Sequence, residues 1–244
     1  MYYTTKLETV RKQSYYPRVF AFELIMNDAN TEYLKRNFDR ACRKYEEAYA
    51  TLRYFYSTNP KWSEQGIDDD ELKEINFVGT KPWQAESLKK MKLSALLNIA
   101  ACCIKTKDFE GAVDSSKEAL LLDPKNTKAL YRRSRALSLP INSGVEEFQE
   151  AITYLKQINE TEPGLPHVER DIKKLQSLVK INRKREHETY GNMFKKRTGS
   201  GKDEKEESVQ EYIEKKQKVI RGADNQHIDP EFEEEKRKMD LKVK

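Results

Sequence analysis

Few residues in this 244-residue chain combine the type and the spacing that chemistry requires. A nucleophile needs a base beside it, and a metal needs several ligands at recurring intervals. The three cysteines are Cys42 and the adjacent pair Cys102 and Cys103, with no base nearby in sequence, so packing is their expected role. His167, His187 and His227 are scattered, and Asp68-Asp69-Asp70 lacks the rest of a calcium loop. No catalytic constellation is visible. We therefore expect no enzyme, no metal site and no cofactor. Lys128 and Arg132 are more suggestive: four residues apart, they share one helical face, where a lysine and a planar arginine fork can hold an anion. Their bland alternative is a solvated helix surface, in a chain that is 36% charged. Asn98 lies in an otherwise apolar helical run and requires a polar partner.

The elements that position these residues follow from an internal repeat. Phe38, Ala41, Tyr45 and Ala48 step by three, four and three residues. The same steps recur at Phe109, Ala112, Ser116 and Ala119, with Pro124 five further on. They recur again at Phe148, Ala151, Leu155 and Ile158, with Pro163 at the same distance. Such steps put residues on one helical face, the small ones admit a neighbouring helix closely, and each proline marks a stop. Ala29 and Ala100, nine residues before Phe38 and Phe109, mark the crossing point of a preceding helix. In the third copy Ser134 takes that place, fourteen before Phe148, because the breaker-rich Leu139–Gly144 lengthens the turn. The unit is a helix pair of about 34 residues, the tetratricopeptide (TPR) period.

The expected fold class is all-α: a right-handed superhelix of three TPR helix pairs plus a C-terminal capping helix. Residues 1–18 form an N-terminal extension, and 19–164 the repeat domain with an insertion at about 56–92. Leu52, Tyr54 and Phe55 suggest that the second helix of the first pair runs on. A polar excursion follows before helix resumes around Trp83, and no sheet is expected in the middle of the chain. Residues 165–197 form the capping helix, with Val168, Ile172, Leu175, Leu178 and Ile181 on one face. Residues 198–244 are a charged tail, disordered or bound to a partner, in which Val209, Tyr212, Ile213, Val219 and Ile220 give a narrow apolar stripe.

Composition agrees with thin helical layers. The net charge of +5 arises from 46 basic and 41 acidic residues, mostly interleaved, which argues against a nucleic-acid surface. Three cysteines cannot all pair, consistent with a reducing compartment. The first residues lack the apolar run of a signal peptide, and no stretch is long and apolar enough to span a bilayer. A cytoplasmic protein without membrane or nucleic-acid partners is expected.

The block LLNIAACCIKTKDFEGAVDSSKEALLLDPKNTKALYRRSRAL closely resembles the TPR region of large immunophilins of the FKBP and cyclophilin type and related co-chaperones. TYGNMFKK, at 189–196, resembles the segment after their last repeat. The likeness covers roughly residues 20–196 and does not include the isomerase domain, so isomerase activity is not carried over. In chaperone-binding members a carboxylate clamp grips the C-terminal EEVD of heat-shock protein 90 or 70. The resemblance implies peptide contacts at Asn30, Asn98, Lys128 and Arg132, with Met26 where the pattern has a lysine. A chain-terminal aspartate carries two carboxylates, so cations and amide donors from separate helices suit it. The missing lysine forfeits a charge-assisted hydrogen bond, about 1.5–3 kcal/mol.

The expected function is thus a chaperone-associated adaptor that binds the C-terminal peptide of heat-shock protein 90 or 70, with residues 56–92 and 200–244 available to a larger assembly. The alternative is a structural TPR subunit of a large cytoskeletal or ciliary assembly that binds no chaperone.

Overall fold

The small-residue ladders become the buried faces of helices. Ala41, Tyr45, Ala48, Ala112, Ser116, Ala119, Phe148, Ala151, Leu155 and Ile158 are all buried, as are the crossing residues Ala29, Ala100 and Ser134. Phe38 and Phe109, at the helix starts, are half-buried. The computed structural model describes residues 2–61, 64, 66, 68–198 and 214, without the side chains of 2–6, 69 and 190–198. The chain divides into two compact units, Met1–Pro124 and Lys125–Lys244.

In the first unit α1 spans Tyr2–Arg11, α2 Tyr15–Leu34, α3 Phe38–Leu52, α4 Pro82–Thr106 and α5 Phe109–Leu122. Helix α3 packs on both α2 and α4, and α4 packs on α5, giving two helix pairs in succession. The turn within each pair is built alike. Arg36 and Lys107, each two residues before the ladder phenylalanine, take the left-handed backbone at φ 63° and 66°. The Asp108 side chain then accepts the Gly111 N–H at 3.1 Å, capping α5.

The second unit contains α6 at Thr127–Ser138, α7 at Val145–Thr161 and α8 at Pro166–Thr198. Asn126 caps α6 by accepting the Ala129 N–H at 3.0 Å. Helix α7 packs between α6 and α8, and α8 buries Val168, Leu175, Leu178 and Val179 against it. The backbone of 189–196 continues α8. The expected tail and its apolar stripe lie outside the described residues.

The middle of the chain departs from expectation in one respect. Helix α3 does not run on through Tyr54 and Phe55, and a small sheet is present. Strand β1, Arg53–Ser57, pairs antiparallel with β2, Leu72–Asn76, with Tyr54 opposite Ile75 and Phe55 opposite Glu74. Aromatic residues favour a pleated, half-exposed surface, so Tyr54-Phe55-Tyr56 suits a strand better than a helix extension.

The helix end is also held from outside. The last four carbonyls of a helix need partners, and here all four have one. The Arg53 N–H reaches Tyr49 O, Arg11 Nε donates to Ala50 O at 3.0 Å, Arg18 Nη1 to Thr51 O at 3.0 Å, and the Phe77 N–H to Leu52 O at 2.8 Å. Two arginines at the negative end of the helix dipole complement it.

Arg53 ties the hairpin to the helices. It donates to Glu74 at 2.8 Å, to the Tyr49 hydroxyl at 3.1 Å and to Glu118 at 2.6 Å. The hydrogen bond from Arg53 holds the Glu74 carboxyl below the usual carboxylate range. Likewise Asn37, then Lys35, hold that of Glu32 down. A lowered folded-state value stabilises above the unfolded carboxylate range, and that contribution is lost as pH falls through the folded value. The thermal midpoint should therefore drop on acidification below about pH 4.3, and Glu74→Gln with Glu32→Gln should flatten that drop. Melting curves between neutral pH and pH 3 test this; identical slopes in wild type and variant would contradict it.

Candidate functional site

Helices α2 and α4 each pack on α3 but touch one another only sparsely, which leaves a groove between them. This open groove of about 420 Å³ is lined by Phe22, Glu23, Met26 and Asn27 on one wall and Ser87, Lys90, Met91 and Ser94 on the other. Phe22 and Met26 are buried in its floor, whereas Glu23, Asn27, Lys90 and Ser94 are exposed at its rims. At its N-terminal end Trp83, on α4, meets Tyr15 and Tyr16 of α2 edge-on or tilted, with ring centres 5.3 and 6.4 Å away.

Two of the sequence-predicted site residues follow this groove. Asn30 lies one helical turn beyond Met26 on α2, and Asn98 one turn beyond Ser94 on α4; both are half-buried. Asn30 Oδ1 accepts a hydrogen bond from the Tyr45 hydroxyl at 2.6 Å. Tyr45 is nearly fully buried, so Asn30 satisfies a core hydroxyl. With the acceptor engaged, the Asn30 amide nitrogen supplies donors, the chemistry that a carboxylate or peptide carbonyl needs.

Lys128 and Arg132 lie on α6, in the second unit, one turn apart. Lys128 is exposed, while Arg132 is only 8% exposed. Beside them Arg133 donates to the Tyr154 hydroxyl at 2.8 Å and to Glu150 at 3.0 Å, which commits it to α7.

A convergence of thiols escaped the sequence. Cys42 Sγ on α3 lies 3.7 Å from Cys103 Sγ on α4. Contact with Cys102, then burial, pushes the Cys42 thiol up to about 12, and contact with Cys42 together with burial raises Cys103 as well. Both stay protonated at neutral pH, which suits packing rather than nucleophilic chemistry. Spacing could not reveal this pairing, because it joins residues 61 apart on two helices. Among the described residues no group of three or more His, Cys, Asp or Glu is placed to hold a metal ion, and no helix is long and apolar enough to cross a membrane.

Three helix pairs followed by a long C-terminal helix define a helical-repeat protein of the tetratricopeptide class. Its likeness to a solved structure agrees: the C-terminal TPR-containing domain of an FK506-binding protein of Plasmodium falciparum superposes with a TM-score of 0.54, covering 72% of this chain and 99% of that one at 21% identity. In sequence the chain is similar to large immunophilins. It is 30% identical over 128 residues to FK506-binding protein 59 of Drosophila melanogaster, covering 52% of this chain and 28% of that protein. It is 27% identical over 113 residues to human peptidyl-prolyl cis-trans isomerase FKBP4, covering 46% of this chain and 24% of that protein. The matches thus take in about half of this chain and about a quarter of each relative. No protein-family model matches the chain.

Proposed function

We propose that this chain is a non-enzymatic, chaperone-associated adaptor of the cytoplasm that binds the acidic C-terminal EEVD tail of heat-shock protein 90 or 70. Asn30 and Asn98 contact the peptide end, and Lys128 and Arg132 supply positive charge. The observation that carries this reading is the pair of half-buried asparagines, each one helical turn past a residue that lines an open groove, on a TPR fold. The repeat domain comprises residues 19–164 with the 56–92 insertion, and 165–197 caps it. The insertion and residues 200–244 remain for a larger assembly; of these, the hairpin offers exposed Phe55, Tyr56 and Ile75. Residues 200–244 lie outside the described residues except for Glu214.

Calorimetry with a synthetic peptide ending in EEVD tests this. Binding should require the free carboxyl end, so that the amidated peptide fails. Lys128→Ala should weaken binding about ten- to hundredfold through loss of a charge-assisted hydrogen bond. Met26→Lys should restore a cation and tighten it. If wild type ignores the peptide yet copurifies with a stable complex, the chain is a structural subunit instead.

A further inference from the structure

We infer that α2 pairs with the α2 of a second copy of this chain, through a stripe of Tyr16, Phe20 and Leu24 that Trp83 widens at one end. The three residues on α2 step by four, which places them one above another on a single helical face. All four side chains are between 49% and 69% exposed. Trp83 joins the stripe through its ring contact with Tyr16, and none of the four lines the groove between α2 and α4. Apolar residues on a soluble surface are ordinarily scattered singly, whereas these are contiguous.

Area and shape select the occupant. Aromatic side chains bury about 150–250 Å² each, so three of them with a leucine, at these exposures, offer roughly 450 Å². Two such patches pressed together, with the exposed Pro17 and Asn27 beside them, remove about 1,000 Å² from water, the size at which specific association begins. A second copy therefore suffices to cover the stripe, in a weak and reversible dimer.

The stripe also fits itself in one orientation. Its Tyr16–Trp83 end is bulky and its Leu24 end slight. Parallel pairing would set bulk against bulk, leave a gap at the leucines and bring the exposed Glu23 and Asp28 of the two copies together. An antiparallel two-fold pairing through Phe20 sets Tyr16 of each copy on Leu24 of the other. It also keeps those carboxylates apart and opposes the two helix dipoles.

Analytical ultracentrifugation of the full chain tests this. Wild type should dimerise reversibly with a dissociation constant on the order of 10 µM, as suits a small interface. Phe20→Glu, at the centre of the stripe, should raise that constant about a hundredfold while leaving the circular dichroism spectrum unchanged. Leu121→Glu, similarly exposed but on α5, should leave it as it was. Tyr16→Lys and Leu24→Glu should each weaken the dimer. Combined in one chain they should pair more tightly than Leu24→Glu alone, because the two new charges then meet across the two-fold with opposite sign. A wild type that stays monomeric at about 100 µM overturns the inference, and a different partner then covers the stripe. A dimer that survives Phe20→Glu, or a double variant weaker than Leu24→Glu alone, overturns it as well.

Discussion

Replacing Phe148 by alanine is expected to cost about 3–5 kcal/mol and to melt the α6–α8 layer. Phe148 opens the third ladder and is 0% exposed, on the helix that packs against both α6 and α8. Its removal leaves a cavity on α7, the helix that packs against both α6 and α8, in a unit whose buried set also includes Leu155, Ile158, Val168 and Leu178. A domain has only about 5–15 kcal/mol in reserve, so the loss is a large fraction of it. Urea unfolding followed by circular dichroism measures the effect. Leu121→Ala makes a suitable control: that residue is exposed, and its loss should stay within about 0.5 kcal/mol. A Phe148 variant that unfolds at the wild-type urea midpoint would show that the third ladder does not carry the core.

Arg18→Ala should be the next most damaging change, at about 3 kcal/mol, from one buried charge-assisted hydrogen bond and a desolvated cation–π contact. Arg18 is buried at the start of α2. Its guanidinium lies 4.0 Å from the centre of the Phe77 ring, and it donates to Thr51 O across 33 residues of sequence. Removing it leaves a carbonyl at the end of α3 unpaired and releases the chain where it returns from the hairpin. Arg18→Lys keeps the charge but cannot serve carbonyl and ring together, so it should recover only part of the loss. Hydrogen exchange should then quicken first at the C-terminal turn of α3 and at Phe77. Uniform exchange across the first unit would contradict a local role.

The parts of this fold that were legible in the sequence are those in which one helix face speaks for itself. The ladders at Phe38, Phe109 and Phe148 and the crossing residues Ala29 and Ala100 rest on spacing, and spacing survives into three dimensions. The hairpin did not announce itself, because Tyr54, Phe55 and Tyr56 are apolar enough to continue α3, and Lys73 and Glu74 look helical. Its existence depends on Arg11, Arg18 and Phe77 completing the end of α3, and such long-range partners leave no periodic trace. The candidate site was legible to the same degree. Asn98 stood out as a polar residue in an apolar run, but the bond that Asn30 accepts from Tyr45 and the burial of Arg132 are tertiary facts. The groove beside Met26 was legible only as a missing lysine, because its other wall comes from a helix about 65 residues later.

The crowding of Cys42, Cys102 and Cys103 between α3 and α4 has a practical corollary. Cys102 and Cys103 are shut away from water, so a thiol-labelling reagent reaches them only when the joint between the two helices gapes. Delayed labelling of Cys102 and Cys103, set against the half-exposed Cys42, thus serves as a stopwatch for breathing at the junction of the first two repeats, with no cysteine introduced by mutation.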